Sequence, residues 1–233
     1  MTDFSELNIS GLPDAERLDV ESCLKADEFM DFDHSDIQFK VQEISNGIED
    51  LWDKAKAIYY FVRDEIVYDF APLIRDSDNW KASVILKEGR GFCHQKSILQ
   101  TALYRAVGIP SALTYHDAID YPLLETRYKE RIPDGVLSYH GLSLIFIDNT
   151  WIRQDATLDA GLCYRRGYCI TDFERGKEIL LPEKIKNGKP HFKIQKEHGY
   201  FESFDPRFRD SLLAHLSAWN AWRSFVKKEH LSM

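Results

Sequence analysis

Gly89-Arg90-Gly91-Phe92-Cys93-His94-Gln95-Lys96-Ser97 is the stretch on which the fold is decided. Behind it Ile98, Leu99, Ala102, Leu103 and Ala106 recur at three- and four-residue spacing, which predicts a helix from Cys93 to Val107 with one buried stripe. Gly108 and Pro110 stop that helix, and the glycines at 89 and 91 turn the chain into it. Cys93 therefore stands at a helix N-terminus.

Upstream, Ala82 to Leu86 reads as a short helix and Lys87 to Gly91 as a turn. Earlier still, Leu51, Trp52, Ala55, Ile58, Tyr59 and Val62 mark an amphipathic helix running to about Asp64, followed by an extended Ile66–Phe70 that Pro72 ends. Downstream, Ser111 to Tyr115 reads as a strand, and His116 to Gly135 as an irregular segment suited to a lid. Tyr139–Ile147 and Trp151–Asp155, separated by Asp148-Asn149-Thr150, read as a β-hairpin. Helices first and antiparallel strands after make the class α+β. Residues 48–170 are expected to form the core, with 1–47 an N-terminal extension packed on it. Residues 171–233 are expected to form a C-terminal extension, with His198–Phe201 a strand end or turn and Asp210–Val226 a packed closing helix.

A chain of 233 residues, 44% hydrophobic and 29% charged, is long enough for one ample core, and nothing in it reads as disordered or fibrous. The net charge of -8 disfavours a protein that grips phosphate backbones. The first residues carry no basic stretch followed by an apolar run, and no window approaches a membrane span, so a soluble, cytoplasmic protein is expected, with neither nucleic acid nor membrane as partner. Cys23, Cys93, Cys163 and Cys169 are scattered and read as reduced thiols, without the spacing of a zinc site. Asp31 to Asp36 resembles the start of a calcium loop, but a glycine is needed where Asp36 stands and a glutamate where Gln42 stands, so it reads as a solvated turn. Neither a metal nor a cofactor is expected.

The chemistry starts from the thiol. A thiolate is the nucleophile, so a catalytic cysteine needs a site that lowers its pKa, and the free N–H groups and positive dipole end of a helix provide one. His140, opening an apolar strand, is the candidate base, and Asp155, ending the paired strand, is the carboxylate that orients it. Alone, a cysteine after a glycine is most often a buried small hydrophobe, and a histidine at a strand end a satisfied surface group. The conjunction of the three carries the reading. His94 and His116 are alternative bases, His94 being expected to point away from the cleft. The Cys93 N–H is one oxyanion donor, and Trp80 or Tyr68 supplies a second from its side chain.

These residues resemble the transglutaminase-like core shared by transglutaminases, peptide N-glycanases and many microbial homologues. The resemblance runs from about Lys54 to Asp159, through Gly89-Arg-Gly-Phe-Cys93-His-Gln-Lys, Leu103-Tyr-Arg-Ala-Val-Gly-Ile-Pro110, Tyr139-His-Gly141 and Trp151-Ile-Arg-Gln-Asp-Ala-Thr157. It implies a papain-like Cys-His-Asp core in which the catalytic helix packs on an antiparallel sheet. Lys96 and the Lys196-Glu-His-Gly-Tyr-Phe201 tail are similar to a bacterial, cytoplasmic group of that family. His140-Gly-Leu stands where His-Ala-Trp is usual, and Asp155-Ala-Thr where Asp-Pro-Thr is usual, so protein crosslinking is not implied. The expected function is cysteine-dependent acyl transfer on a small amide, a peptide or a protein through a thioester, hydrolysis being favoured. A non-catalytic binding module and an acyl-CoA-dependent N-acyltransferase are the alternatives, the latter because Arg90-Gly-Phe-Cys93 is similar to arylamine N-acetyltransferases.

Overall fold

A computed structural model describes residues 18–69, 78–126, 129 and 134–207. The helices come first. α1 (Ser35–Ser45) and α2 (Leu51–Glu65) each open on a side-chain cap, with His34 Nδ1 accepting from the Asp36 N–H and Asp50 Oδ1 from the Asp53 N–H. α2 buries Trp52, Ala55, Ile58, Tyr59 and Val62, the stripe expected of it apart from Leu51, which is exposed at the first position of the helix. At its far end Lys96 Nζ donates to the carbonyls of Ile66 (2.6 Å) and Arg63 (3.3 Å), satisfying acceptors that the helix leaves open.

Of the extended segment expected after α2, Val67–Tyr68 form β1, which pairs in parallel with β2 (Arg90–Gly91), the end of the stretch read as a turn; Phe70 lies outside the described residues. α3 (Ala82–Glu88) ends on Gly89 in the left-handed conformation. α4 (Cys93–Ala106) is buried on every side except at Ala106, so it is a central helix rather than an amphipathic surface one.

β3 (Ser111–Asp120), β4 (Val136–Ile147), β5 (Thr150–Gln154) and β6 (Phe192–Phe201) form one antiparallel sheet in the order β5-β4-β3-β6. α4 lies on this sheet, with Thr101 Oγ1 donating to Ser143 Oγ and Ser143 Oγ to the Ser97 carbonyl, both at 3.1 Å. The β4–β5 turn is Asp148-Asn149, both at positive φ as a two-residue hairpin loop requires, and Thr150 already belongs to β5. Asp148 Oδ2 accepts from Trp52 Nε1 at 2.9 Å, pinning the hairpin tip to α2.

Other expectations change as well. His116 to Gly135 is not one irregular segment: His116 to Asp120 continue β3, and Asp120 then caps α5 (Tyr121–Leu124) by accepting from the Leu123 N–H. The mixed polarity that hid this part of β3 reflects register shifts on both its neighbours between Thr114 and Ala118. α1 went unread because its buried stripe is only Ile37 and Val41. Asp31 is docked rather than solvated, its carboxylate accepting from the Ser83 N–H and hydroxyl at the start of α3. α6 (Ala160–Arg166) follows β5, and His198–Phe201 form the end of the long edge strand β6. The expected closing helix at Asp210–Val226 lies outside the described residues.

Candidate active site

Helix α4 delivers Cys93 at its first position. The residue ahead of it, Phe92, has no side-chain oxygen with which to cap the first-turn N–H groups; its own N–H donates to Gln95 Oε1 at 3.3 Å. Gly91 is required here by space, since a Cβ on it would lie 2.9 Å from Gln95 Cβ. Gln95 in turn donates to the Asn79 carbonyl at 3.0 Å, tying the segment before α3 to the start of α4.

The β4–β5 hairpin delivers the other two groups. His140 Nε2 lies 3.0 Å from Asp155 Oδ2, which leaves Nδ1 for the thiol. Asp155 Oδ1 accepts from the Thr157 N–H (3.0 Å) and hydroxyl (2.6 Å). Its main chain is fixed as well: the N–H donates to the Ile179 carbonyl at 2.8 Å, and Tyr59 Oη donates to its carbonyl at 3.2 Å. Thr157 and Tyr59 were not singled out in the sequence, although the Asp-x-Thr pattern that carries Thr157 is visible there. Cys93, His140 and Asp155 are 7%, 4% and 4% exposed, so the three expected residues meet just below the surface.

Burial by itself pushes the Cys93 thiol up. The electrostatic pull of His94 and hydrogen bonds from His140 and His94 outweigh it, holding the thiol down at about 5. Burial likewise opposes the His140 imidazolium, yet the charge and hydrogen bond of Asp155, followed by those of Cys93, raise it to about 10. Asp155 is pushed up by burial and pulled down further by His140 and Thr157, to about 2. All three directions favour a thiolate and an imidazolium backed by a carboxylate. Burial raises the other cysteines, Cys23 and Cys163 to about 11 and Cys169 by less.

His94 does not point elsewhere, as its place after Cys93 led us to expect: Nδ1 stands 3.4 Å from Cys93 Sγ, and the ring stacks on Tyr115 with centroids 5.1 Å apart. That stack explains the glycine after His140. A Cβ on Gly141 would come 3.1 Å from the Tyr115 ring and 3.4 Å from His94 Cα, so β4 approaches α4 this closely only without a side chain. His116 pairs with His140 across the ladder and its ring lies 5.1 Å away, but burial first and the His140 charge second lower it to about 3, which leaves it neutral and ill suited to accept a proton at physiological pH.

Of the two side chains named as oxyanion donors, Tyr68 sits on β1 beside Gly91, and its own N–H donates to Asp159 Oδ2 at 3.0 Å. Burial raises its phenol well above the ordinary range, and among neighbouring charges Cys93 contributes most. Trp80 is fully buried in a ring cluster, stacked on Phe204 at 4.9 Å and edge-on to Phe92 at 5.4 Å, and its indole N–H has no hydrogen-bond partner among the described residues. Among the described residues no three His, Cys, Asp or Glu side chains group to hold a metal, and no helix is long and apolar enough to cross a membrane.

Among known proteins, residues 38–156 match the core of the transglutaminase-like superfamily. No curated protein matches. Among solved structures, a candidate cysteine protease from Cytophaga hutchinsonii is similar at 22% identity and a TM-score of 0.46, over 61% of this chain and 44% of that one. A candidate protease from Parabacteroides distasonis is similar at 12% identity and a TM-score of 0.38, over 60% of this chain and 25% of that one. The chain thus spans less than half the length of either. A central helix that begins at a cysteine, laid on an antiparallel sheet within a matching stretch that covers half of the sequence, fixes the assignment: the chain belongs to the transglutaminase-like superfamily.

Proposed function

We propose that the protein is a cysteine-dependent acyl-transfer enzyme that opens an amide or peptide bond through a thioester, with Cys93 as nucleophile, His140 as general acid and base, and Asp155 orienting it. The observation that carries the reading is the His140 imidazole, held 3.0 Å from a buried, ionised carboxylate with its second nitrogen left for a thiol at a helix N-terminus. The Cys93 thiolate adds to the amide carbonyl, whose oxygen takes the negative charge and is met by the Cys93 N–H and the Tyr68 hydroxyl. His140 gives its Nδ1 proton to the departing amine as the C–N bond breaks, leaving a thioester. Water then attacks the thioester, His140 takes its proton, and the acid leaves as the C–S bond breaks, regenerating the thiolate beside the imidazolium. A thiol only 7% exposed favours water over a bulky amine as acceptor.

The test is labelling of the full chain by a thiol-reactive amide analogue, located by peptide mass spectrometry. Label confined to Cys93 at pH 6, and lost in a folded Cys93→Ala chain, is the expected result, because the thiols of Cys23 and Cys163 are held near 11. Equal labelling at Cys23 or Cys163 would overturn it.

A further inference from the structure

Tyr139, the residue before His140, has φ +54°, and among the described residues it is the one non-glycine in a strand with a positive φ. An aromatic residue adopts that conformation only where its surroundings impose it. The β3–β4 register passes from His116↔His140 to Ala118↔Leu137, so Ser138 and Tyr139 together oppose the single residue Asp117. This is a β-bulge, a device that re-aims the side chain beside it.

Asp117 and His198 hold the bulge from the β3–β6 side. Asp117 Oδ1 accepts from the Tyr139 N–H at 3.0 Å and from His198 Nε2 at 2.6 Å. The His198 ring lies flat on the Tyr139 ring, with centroids 3.7 Å and planes 19° apart. Both side chains of the pair are largely buried, at 5% and 14% exposure. One carboxylate oxygen and one imidazole thus fix both the main chain and the ring of Tyr139.

We infer that Asp117 and His198 are positioning residues: by clamping Tyr139 in the left-handed conformation, they aim the His140 ring at Cys93. The inference rests on His140 being the partner of the Cys93 thiol. It gives the Glu197-His198-Gly199 stretch of the tail a task at the site, and it makes β6 part of the site's support although none of its residues is assigned a chemical step.

The experiment is the pH dependence of iodoacetamide alkylation at Cys93, followed by peptide mass spectrometry in the full chain, with thermal unfolding measured alongside. The titratable groups facing His140 and the thiol, namely Asp155, His116, Asp120 and His94, are unchanged in the variants, and His198→Ala leaves the Asp117 charge in place as well, so a shift common to both variants reports the aim of the ring. In Asp117→Asn and His198→Ala the midpoint moves up by at least one unit from about 5, so that the rate at pH 6 falls about twofold for a one-unit move and about tenfold for two. Adding Tyr139→Gly, which takes a positive φ without help, restores the wild-type midpoint in both backgrounds. A folded His198→Ala or Asp117→Asn chain with the wild-type midpoint would overturn the inference, as would a double variant that stays shifted. If His198→Ala does not fold, Asp117→Asn, which keeps the side-chain shape, decides by the same criterion. An ordinary thiol midpoint in the wild-type chain is a different result, and overturns the reading of the site together with the inference.

Discussion

His94 shows how much one residue can alter the chemistry of its neighbour. Successive side chains on a helix diverge by about 100°, yet the ring stacked on Tyr115 turns its Nδ1 back to 3.4 Å from Cys93 Sγ. The thiol therefore has two histidines beside it, and His94 exerts the largest of the pulls that lower it. Because the thiol is held down at about 5, alkylation of wild-type Cys93 is expected to rise through that pH and to level off by neutrality. His94→Phe keeps a ring on Tyr115 and removes the nitrogen, so the midpoint should climb, with the rate at pH 6 falling about twofold for the first unit moved and about tenfold for two. An unchanged midpoint in that variant would mean that His140 alone sets the thiol. Cys93, His140 and Asp155 were legible in the sequence because each sits at a punctuated position: after glycines, at the head of an apolar strand, at the end of its partner. The contact of His94 was not, because it depends on a rotamer chosen by Tyr115, 21 residues away by the numbering.

Among the elements, α4 and the β4–β5 hairpin were readable from periodicity and turn chemistry, and their observed bounds differ from the expected ones by a few residues at most. The second half of β3 was not, since its bulges break the alternation by which a strand is recognised. Lys96, which the sequence marks only by its place three residues after Cys93, proves to be a fully buried helix cap on α2. Burial lowers its ammonium to about 7, with Asp159 and Asp155 pulling the other way. Between that value and the ordinary 10.4 or so of an exposed lysine, the unfolded chain holds a proton that the folded chain lacks, so Lys96 makes stability rise with pH across that window. Lys96→Met should remove this contribution. The wild-type minus variant stability difference, from urea titrations at pH 7 and pH 10, is expected to grow with pH; a flat difference would show that the lysine titrates alike in both states.

In the whole molecule, the pieces around α4 are joined by another buried cation. Arg105 donates to the carbonyls of Ser111 (2.9 Å), Lys25 (2.6 Å) and Glu202, linking the end of α4, the start of β3, the N-terminal segment and the chain beyond β6. Such contacts join positions up to 97 residues apart, and no local pattern announces them. Arg105→Met should strand three carbonyls and cost about 3 kcal/mol, seen as a lower urea midpoint with an unchanged slope. The α+β class was visible from the order of elements, and the cysteine helix on the sheet and an N-terminal segment packed on the core were expected, whereas the place of β6 as a full edge strand of that sheet was not.

The hairpin that carries His140 and Asp155 has one more consequence, which concerns timing. Base and carboxylate are 15 residues apart on one local unit, while the thiol arrives from a separate helix. A chain still being made or refolded can form the first pair early, since contacts near in sequence close fastest. Its cysteine meanwhile remains an ordinary thiol, with a pKa near 8.5, mostly protonated and slow to react. On the proposed reading, the thiol reaches its full reactivity when helix and hairpin meet and Tyr115 of β3 holds the His94 ring beside it, so reactivity rises in the same event that completes the fold and is withdrawn whenever that contact opens.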